Sequence, residues 1–321
     1  MIVLEERGIK IKQHNFWLDA RRKVDFSFVS HGHADHLKNH KTILATPPTV
    51  RFHAMRAKQQ KAVELEYSTA YFYHDLEIKL YPAGHILGSA MIHITCNDLS
   101  LLYTGDFKIK TSLTAEKIQI PKTDILIIES TFGHPDYRYF PALDTLVSAL
   151  EDFIQDTITR KKVPVVLAYS LGKGQEAMKI LSDKGYRVAV HPAIWRFAGI
   201  YEEFGITFPQ CERWSQDTAL SNFDVLLYPP HLSRKPEYYR IPNKRSVLLS
   251  GWAKQGNSFF QCDHQIPLSD HADFDDLISF IKRSGAQKIF TTHGFEQFPA
   301  YLREMGFDAQ LLTDTIQLSF L

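Results

Sequence analysis

The sequence predicts an α/β protein in which a parallel α/β domain is inserted into a domain made mostly of strands. Strands with glycine- and proline-marked turns fill residues 1–129, and from about residue 137 helices and strands alternate. Such alternation is typical of a parallel sheet. After residues 246–252 the chain returns to the first domain. The expected divisions are 1–136 and 267–321 for the first domain and 137–266 for the insertion.

Apolar periodicity predicts the elements of the insertion and the helix that follows it. Residues 143–159 and 175–182 have helical spacing. Asp273 is expected to cap a later helix, and Gly285 lies just beyond its end. Short runs of apolar residues predict strands at 163–169, 187–190, 225–228 and 246–249.

A dense group of residues that can bind a metal ion follows the strand predicted at residues 24–29. The apolar alternation of residues 24–29 predicts this strand, and HGHADH follows at 31–36. In this motif, His31 and His33 are expected to point the same way. Asp35 and His36 come after the chain begins to turn. Such groups suit zinc or a similar ion, and two separated pairs suggest two ions. The alternative is a polar loop, but burying these groups without a metal is costly. The predicted ligands are His31, His33, Asp35 and His36.

Three further predicted strands lead to ligand-type residues. The strand at 76–80 leads to His85, the strand at 101–106 ends in Asp106, and the strand at 288–294 ends in His293 and Gly294. A single histidine or aspartate at a strand end is more often a cap or turn residue. Four strand ends together predict a binuclear metal site.

These motifs resemble the metallo-β-lactamase fold superfamily. Residues 31–36 match its HxHxDH motif, and His85 and His293 match its later histidines. The resemblance implies that Asp106 bridges two metal ions and that Asp19 steadies the HxHxDH loop. It also implies an αββα sandwich.

Further motifs resemble the β-CASP nucleases, which include RNase J, Artemis and the pre-mRNA cleavage endonuclease. Glu129 in IIESTFG matches motif A, His271 in LSDHAD matches motif B, and His293 matches motif C. The nearest likeness is to bacterial DNA ligase-associated exonucleases, through ESTFG, YSLGK, SGW, LSDHAD, THG and YLRExGxDAQ. This implies a β-CASP domain inserted in a metallo-β-lactamase domain, with the active site in the cleft between them. It also implies DNA repair beside an ATP-dependent DNA ligase and a helicase.

The ligand set predicts a two-metal hydrolysis. Two divalent ions, zinc or alternatively manganese, would activate a bridging hydroxide and neutralise phosphate charge. His271 paired with Glu129 is the candidate acid for the leaving oxygen, because a carboxylate partner raises the histidine pKa. The alternative is that this pair is purely structural. The predicted catalytic residues are Asp35, Asp106, Glu129 and His271.

The turn YSLGK at 169–173 joins a predicted strand to a helix start, where backbone N–H groups favour an anion. It is not a Walker A loop, since Leu167 stands where the first glycine would be. An ordinary glycine-bearing turn is the alternative, but the likeness to Artemis-type nucleases implies a terminal-phosphate site. The predicted phosphate-binding residues are Ser170, Lys173, Ser250 and Trp252.

Residues 234–245 contain five cations and two tyrosines. This composition suits single-stranded nucleic acid, with cations along the backbone and rings against the bases. A solvated loop explains the same composition, so both interpretations stay open.

Composition predicts a cytoplasmic protein. The 321 residues are 44% hydrophobic, carry a net charge of +1 and include three cysteines without CxxC spacing. We see no signal peptide and no apolar run long enough to cross a membrane.

Three functions compete. The resemblance favours a DNA exonuclease that acts from the 5′ end. An RNA-processing nuclease is the alternative, because a motif C histidine such as His293 accompanies mainly RNA substrates. A silent nucleic-acid-binding subunit is disfavoured because no predicted ligand is missing. The inserted domain disfavours a small-molecule hydrolase.

Overall fold

The computed structural model describes residues 2–5, 8–57, 61–215, 218–256, 260–313 and 317–318. The chain divides into two compact units. The first unit comprises Met1–Thr111, Ala115–Arg138 and His271–Leu321, and the second comprises Ser112–Thr114 and Tyr139–Asp270. The sequence places the insertion at 137–266, so the end points differ by a few residues.

The strands alternate with helices in the second unit and dominate the first. In chain order, the strands of the described residues are β1 (Ile2–Glu5), β2 (Gly8–Ile11), β3 (Phe16–Leu18), β4 (Phe26–Phe28), β5 (Thr42–Ala45), β6 (Lys61–Glu64), β7 (Tyr71–Tyr73), β8 (Leu76–Pro82), β9 (Ala90–Cys96), β10 (Leu99–Tyr103), β11 (Ile125–Ser130), β12 (Val163–Leu167), β13 (Val188–Val190), β14 (Cys211–Arg213), β15 (Val225–Tyr228), β16 (Lys244–Leu249), β17 (His264–Ile266), β18 (Lys288–Gly294), β19 (Ala309–Leu311) and β20 (Gln317–Leu318). The α-helices are α1 (Pro47–Ala54), α2 (Leu143–Thr159), α3 (Lys173–Asp183), α4 (Pro192–Trp195), α5 (Ala198–Glu203), α6 (Pro236–Tyr239), α7 (Phe274–Ser284) and α8 (Phe298–Glu304).

The described part of the first unit contains two seven-stranded sheets with helices on their outer faces. Their orders are β20-β1-β2-β3-β4-β5-β6 and β19-β18-β11-β10-β9-β8-β7. Phe16 and Phe28 of the first sheet share one buried core with Ile92 and Tyr103 of the second. On the outer face of the second sheet, α7 and α8 pack through a separate apolar cluster, and α1 contributes Val50 to another beside β5. The predicted αββα sandwich is confirmed.

The second unit is a parallel α/β domain, as predicted. Its six described strands follow the order β14-β13-β15-β12-β16-β17, and every neighbouring pair is parallel. The helix predicted at 143–159 is α2, with the same bounds. The one predicted at 175–182 is α3, which starts two residues earlier at Lys173. Strands β14 and β17 were not predicted from the sequence. Each has only three residues, which is too short to show apolar periodicity.

Local capping defines α7. The Asp273 carboxylate accepts a hydrogen bond from the Asp276 N–H at 2.9 Å, and Gly285 ends the helix at φ 70°. Only glycine adopts this backbone conformation at little cost. The predicted cap and stop are therefore both present.

Within the described residues, no helix combines the length and the apolar character needed to cross a membrane.

Candidate metal centre

The predicted ligands meet because the strands that carry them run in the same direction. Strand β8 is antiparallel to β9, and β9 is antiparallel to β10, so β8 and β10 are parallel. Strands β10, β11 and β18 are parallel neighbours. The residues at their carboxyl ends therefore share one edge of the sheet, and these residues are His85, Asp106, Glu129 and His293.

Four of the predicted ligands, His31, His33, His85 and Asp106, form a compact group. His31 Nε2 and His85 Nε2 each lie 3.1 Å from His33 Nδ1. Asp106 Oδ2 lies 3.5 Å from His31 Nε2, and all four donor atoms are within 4.8 Å of one another. Ligand atoms around a tetrahedral zinc ion, with bonds of about 2.0–2.1 Å, are roughly 3.3 Å apart. The geometry therefore fits a metal ion, and we name these residues the inner group.

The remaining predicted ligands form a looser set, which we name the outer group: Asp35, His36 and His293. His36 Nε2 lies 3.7 Å from Asp35 Oδ2 and 3.7 Å from Asp106 Oδ2. The ring centre of His293 is 5.7 Å from that of His36. The Asp35 side chain is 79% exposed. Asp106 Oδ2 thus lies between His31 of one group and His36 of the other.

Asp19 holds the loop that carries the HxHxDH motif. Its carboxylate accepts hydrogen bonds from the Ser30 N–H at 2.8 Å, the Ser30 hydroxyl at 2.6 Å and the Tyr103 hydroxyl at 2.9 Å. His36 Nδ1 is 2.8 Å from Asp19 Oδ2. This contact directs His36 Nε2 toward Asp106, as carboxylate partners of metal-binding histidines do. Sequence reasoning missed Ser30 and Tyr103, and only the position of Ser30 directly before the motif could have drawn attention to it.

Burial and neighbouring charges shift the pKa values of the cluster residues in different directions. Burial, with the nearby His36, holds the pKa of His31 well below its usual value, so His31 is neutral and able to bind a metal. Burial also lowers the pKa of His36, but the Asp19 and Asp106 carboxylates outweigh it and raise that pKa to about 10. Burial raises the pKa of Asp106 to about 7, opposed by His36 and reinforced by Glu129. A divalent ion would offset the cost of burying this carboxylate among imidazoles.

Glu129 and His271 form a fixed pair beside Asp106. His271 Nδ1 is 3.1 Å from both carboxylate oxygens of Glu129. The Phe107 N–H and the Thr131 hydroxyl also donate to this buried carboxylate. Burial raises the pKa of Glu129, but these contacts outweigh it and lower the pKa overall. One atom from each of Asp106, Glu129 and His271 lies within 4.8 Å of the others. The pair therefore lies at the metal cluster, with Nδ1 of His271 held by Glu129.

The predicted phosphate-binding residues follow β12 and β16, which are parallel neighbours in the second unit. Lys173 is only 5% exposed, and its ammonium forms an ion pair with Asp270. The Ser170 hydroxyl is buried and has no hydrogen-bond partner among the described residues. Ser250 is buried and Trp252 half-buried. The charge of Lys173 is thus balanced within its own unit, and its phosphate contact stays a prediction.

The basic stretch 234–245 is partly structural. Tyr238 is buried with its ring centre 5.1 Å from that of Tyr228, and Lys244 lies 4.9 Å above the Tyr238 ring. Arg245 pairs with Asp156. By contrast, Tyr239 is 64% exposed. Of the two tyrosines, Tyr239 is the one exposed for stacking on a base.

Comparison with known proteins places this geometry in a family. Residues 261–312 match the model of the Zn-dependent metallo-hydrolase RNA specificity domain. A probable DNA ligase of Opitutus terrae is 37% identical over 317 residues, which cover 97% of this chain and 31% of that protein. An RNase J-like protein of Methanocaldococcus jannaschii is 31% identical over 188 residues, covering 50% of this chain and 44% of that protein.

A probable RNase MJ4 of the same archaeon is 28% identical over 313 residues, covering 80% of this chain and 72% of that protein. The chain thus spans 31% of the Opitutus protein and 44% of the RNase J-like protein. The matched domain, these relatives and the fold agree with the resemblance noted in the motifs. The chain belongs to the metallo-β-lactamase/β-CASP nuclease family.

Proposed function

We propose that the protein is a metal-dependent phosphodiesterase that digests DNA from an end, preferentially the 5′ end. The observation that carries the chemistry is the position of Asp106 Oδ2, 3.5 Å from His31 Nε2 and 3.7 Å from His36 Nε2. One carboxylate oxygen is thus available to two groups of ligands, which supports a centre with two ions. Zinc suits these donors, and manganese is the alternative.

In this proposal, the inner group, which includes Asp106, would hold one ion, and the outer group together with Asp106 would hold the other. Bound divalent ions supply an activated water and neutralise charge on the attacked phosphate. The chain positions the reacting groups around them. Asp106 orients the nucleophile, and Asp35, exposed at the rim of the cluster, completes the outer group.

His271 acts as the general acid. Its Nδ1 is held by Glu129, so Nε2 is the atom that gives a proton to the leaving oxygen. The buried Glu129 carboxylate stays ionised, since its pKa is lowered. A carboxylate partner of this kind favours the imidazolium form of a histidine, which is the form that can donate.

A DNA substrate is supported by the Opitutus relative, which is similar to 97% of this chain and is named a probable DNA ligase. This name supports a role in DNA repair beside a DNA ligase. The proposed cytoplasmic location rests on composition, and the ATP dependence of the ligase rests on the resemblance of the motifs. The helicase partner rests on the motifs shared with ligase-associated exonucleases.

RNA processing is the second candidate. Residues 261–312, which include His271 and His293, match a domain described by its RNA specificity. Two of the relatives carry RNase names. In this alternative the same metal centre cuts RNA.

We assign recognition of the end of the nucleic-acid strand to the turn at the start of α3. The buried Ser170 hydroxyl, without a partner among the described residues, could donate to a terminal phosphate. Lys173→Ala would remove the ion pair with Asp270, so a loss of activity in that variant would be ambiguous. Ser170→Ala is therefore the better variant, with Lys173→Arg as a charge-preserving control.

The decisive experiment compares DNA and RNA strands of one sequence, labelled at either end, with 5′-phosphate or 5′-hydroxyl. We expect faster digestion of DNA, preference for the 5′-phosphate, and no cleavage of circular single-stranded DNA. Ser170→Ala should reduce the phosphate preference about tenfold, because a hydrogen bond to a charged group contributes about 1.5–3 kcal/mol. Faster digestion of RNA would replace the DNA proposal with the second candidate, and rapid cleavage of circles would exclude end recognition.

A further inference from the structure

Arg21 is a cation beside the outer group, and it lies outside the motifs described above. Its side chain is exposed, and its Nη2 lies 3.5 Å from Nε2 of His293. A guanidinium has only hydrogen-bond donors, so Nε2 of His293 is the acceptor in this contact. The other ring nitrogen of the neutral imidazole then carries the proton. While the contact lasts, neither nitrogen of His293 is free to bind an ion.

The chain directly before Arg21 is held in place by backbone contacts. Asp19 turns the chain with a left-handed φ of 44° and donates its N–H to the Phe28 carbonyl at 2.9 Å. The buried Ala20 donates its N–H to the Ser27 hydroxyl at 3.2 Å. Arg21 therefore starts from a fixed position, immediately after the residue that holds the HxHxDH loop.

The charge of Arg21 is in excess when the centre holds two divalent ions. Four carboxylates lie at the cluster: Asp19, Asp35, Asp106 and Glu129. Their negative charges match the positive charges of two divalent ions. The guanidinium is then an additional positive charge near the ions, and like charges this close repel each other even in water. An anion that contacts both the guanidinium and the ions would remove this repulsion.

The chemistry of the side chain indicates which anion this is. The planar fork of N–H donors on a guanidinium matches the oxygens of a phosphate group. Because Arg21 is exposed, a ligand can reach it without any change in the core. In a metal-dependent phosphodiesterase, the anion that approaches the ions is the phosphate of the substrate.

We propose that Arg21 binds the phosphate that the metal centre attacks. The guanidinium leaves His293 when the outer group takes up an ion, and it donates to a non-bridging oxygen of the phosphodiester. The contact with His293 belongs to the metal-free protein, and the contact with phosphate belongs to the loaded one. This inference rests on the proposed function, to which it adds a substrate-binding residue.

The proposal predicts two effects of opposite sign for Arg21→Ala. Without the guanidinium, His293 is released and the repulsion is absent, so the outer group should bind zinc about fivefold more tightly. The same variant should bind a phosphodiester about tenfold more weakly, because a charge-assisted hydrogen bond is lost. A substitution that only damaged the fold would weaken both kinds of binding.

Two measurements test these effects. A zinc titration of the chelator-treated protein, without substrate, gives the weaker of the two zinc equivalents, which we assign to the less closely assembled outer group. Phosphorus NMR then follows the binding of dimethyl phosphate to the zinc-loaded protein. This diester has no base and no terminal phosphate, so it reports on the contact with a phosphodiester alone.

Two further variants sharpen the test. Arg21→Lys keeps the charge but not the planar fork, so we expect a smaller loss of diester binding than in Arg21→Ala. Arg22→Ala is the matched control, because it removes the next arginine in the chain, which is also exposed. It should leave both measurements unchanged. The proposal is overturned if Arg21→Ala leaves diester binding unchanged, or if the outer group of that variant does not bind zinc more tightly.

These measurements do not depend on cleavage. A protein that shows both effects of Arg21→Ala but cuts neither DNA nor RNA would retain the phosphate contact and lose the proposed function. A protein that cuts DNA but shows neither effect would do the reverse.

Discussion

The inner and outer groups of the candidate metal centre differ in how far the protein has already assembled them. In the inner group, imidazole nitrogens converge at 3.1 Å, and His31 and His85 are buried. In the outer group, His36 Nε2 is 3.7 Å from the carboxylates of Asp35 and Asp106, and Asp35 is largely exposed. The inner group is therefore preorganised by packing, whereas the outer group must tighten when an ion binds. We expect two unequal metal affinities, with the inner site the stronger.

Asp106→Ala should have the largest effect, because it removes the oxygen that both groups share. We expect cleavage to fall below detection and at least one equivalent of metal to be lost, measured by elemental analysis and single-turnover cleavage. Asp25→Ala, an exposed aspartate of the same unit, is the control. Cleavage by Asp106→Ala at the wild-type rate would disprove a shared carboxylate.

His271→Ala should separate chemistry from metal binding. We expect a rate loss of about 10²–10⁴-fold with the metal content unchanged, because removing a general acid typically costs this much. Glu129→Gln should weaken the same step by altering the partner of Nδ1. Loss of a metal ion from His271→Ala would reassign this histidine as a ligand, and an unchanged rate would remove it from the reaction.

His293→Ala tests the outer group alone. We expect the weaker equivalent of metal to be lost while the stronger one remains, since the four clustered donors of the inner group are His31, His33, His85 and Asp106. Metal titration of the chelator-treated protein would show one binding phase in place of two. His33→Ala is the matched variant for the inner group and should remove the stronger phase. If His293→Ala abolished both phases, the two groups would form a single site.

Asp19→Asn should have the smallest effect of the four, because Asp19 acts through His36 and the loop. Loss of such a partner typically costs about 10–100-fold in metal affinity. We expect the weaker phase to move by this amount and the stronger one to change little. The thermal midpoint of the metal-free variant is the control for folding. An equal change in both phases would mean that Asp19 supports the whole cluster.

Elements with local signals could be predicted from the sequence. The periodicity of residues 143–159 matched α2, and the cap at Asp273 and the stop at Gly285 were found where expected. Short strands such as β14 and β17 were missed, because three residues carry too little periodicity and depend on their neighbours in the sheet.

The two tyrosines of the basic stretch show why composition could not decide exposure. Tyr238 and Tyr239 are adjacent and chemically identical, yet Tyr238 is buried against Tyr228 and Tyr239 is exposed. Which ring faces the core depends on how residues 236–239 pack on the sheet. The sequence contains the residues for this packing but no local pattern that reveals it.

The sequence alone determined which donors are present and in what local order, because HGHADH and the strand-end residues carry their spacing within a few positions. The tertiary structure decided which of these donors form the inner group and which form the outer group. It put Asp106 Oδ2 between His31 and His36, which are five residues apart in the chain but distant in sequence from residue 106. It also paired Lys173 with Asp270 and brought Arg21 to His293. Contacts between such distant residues depend on the packing of whole strands and connections, so no local pattern contains them.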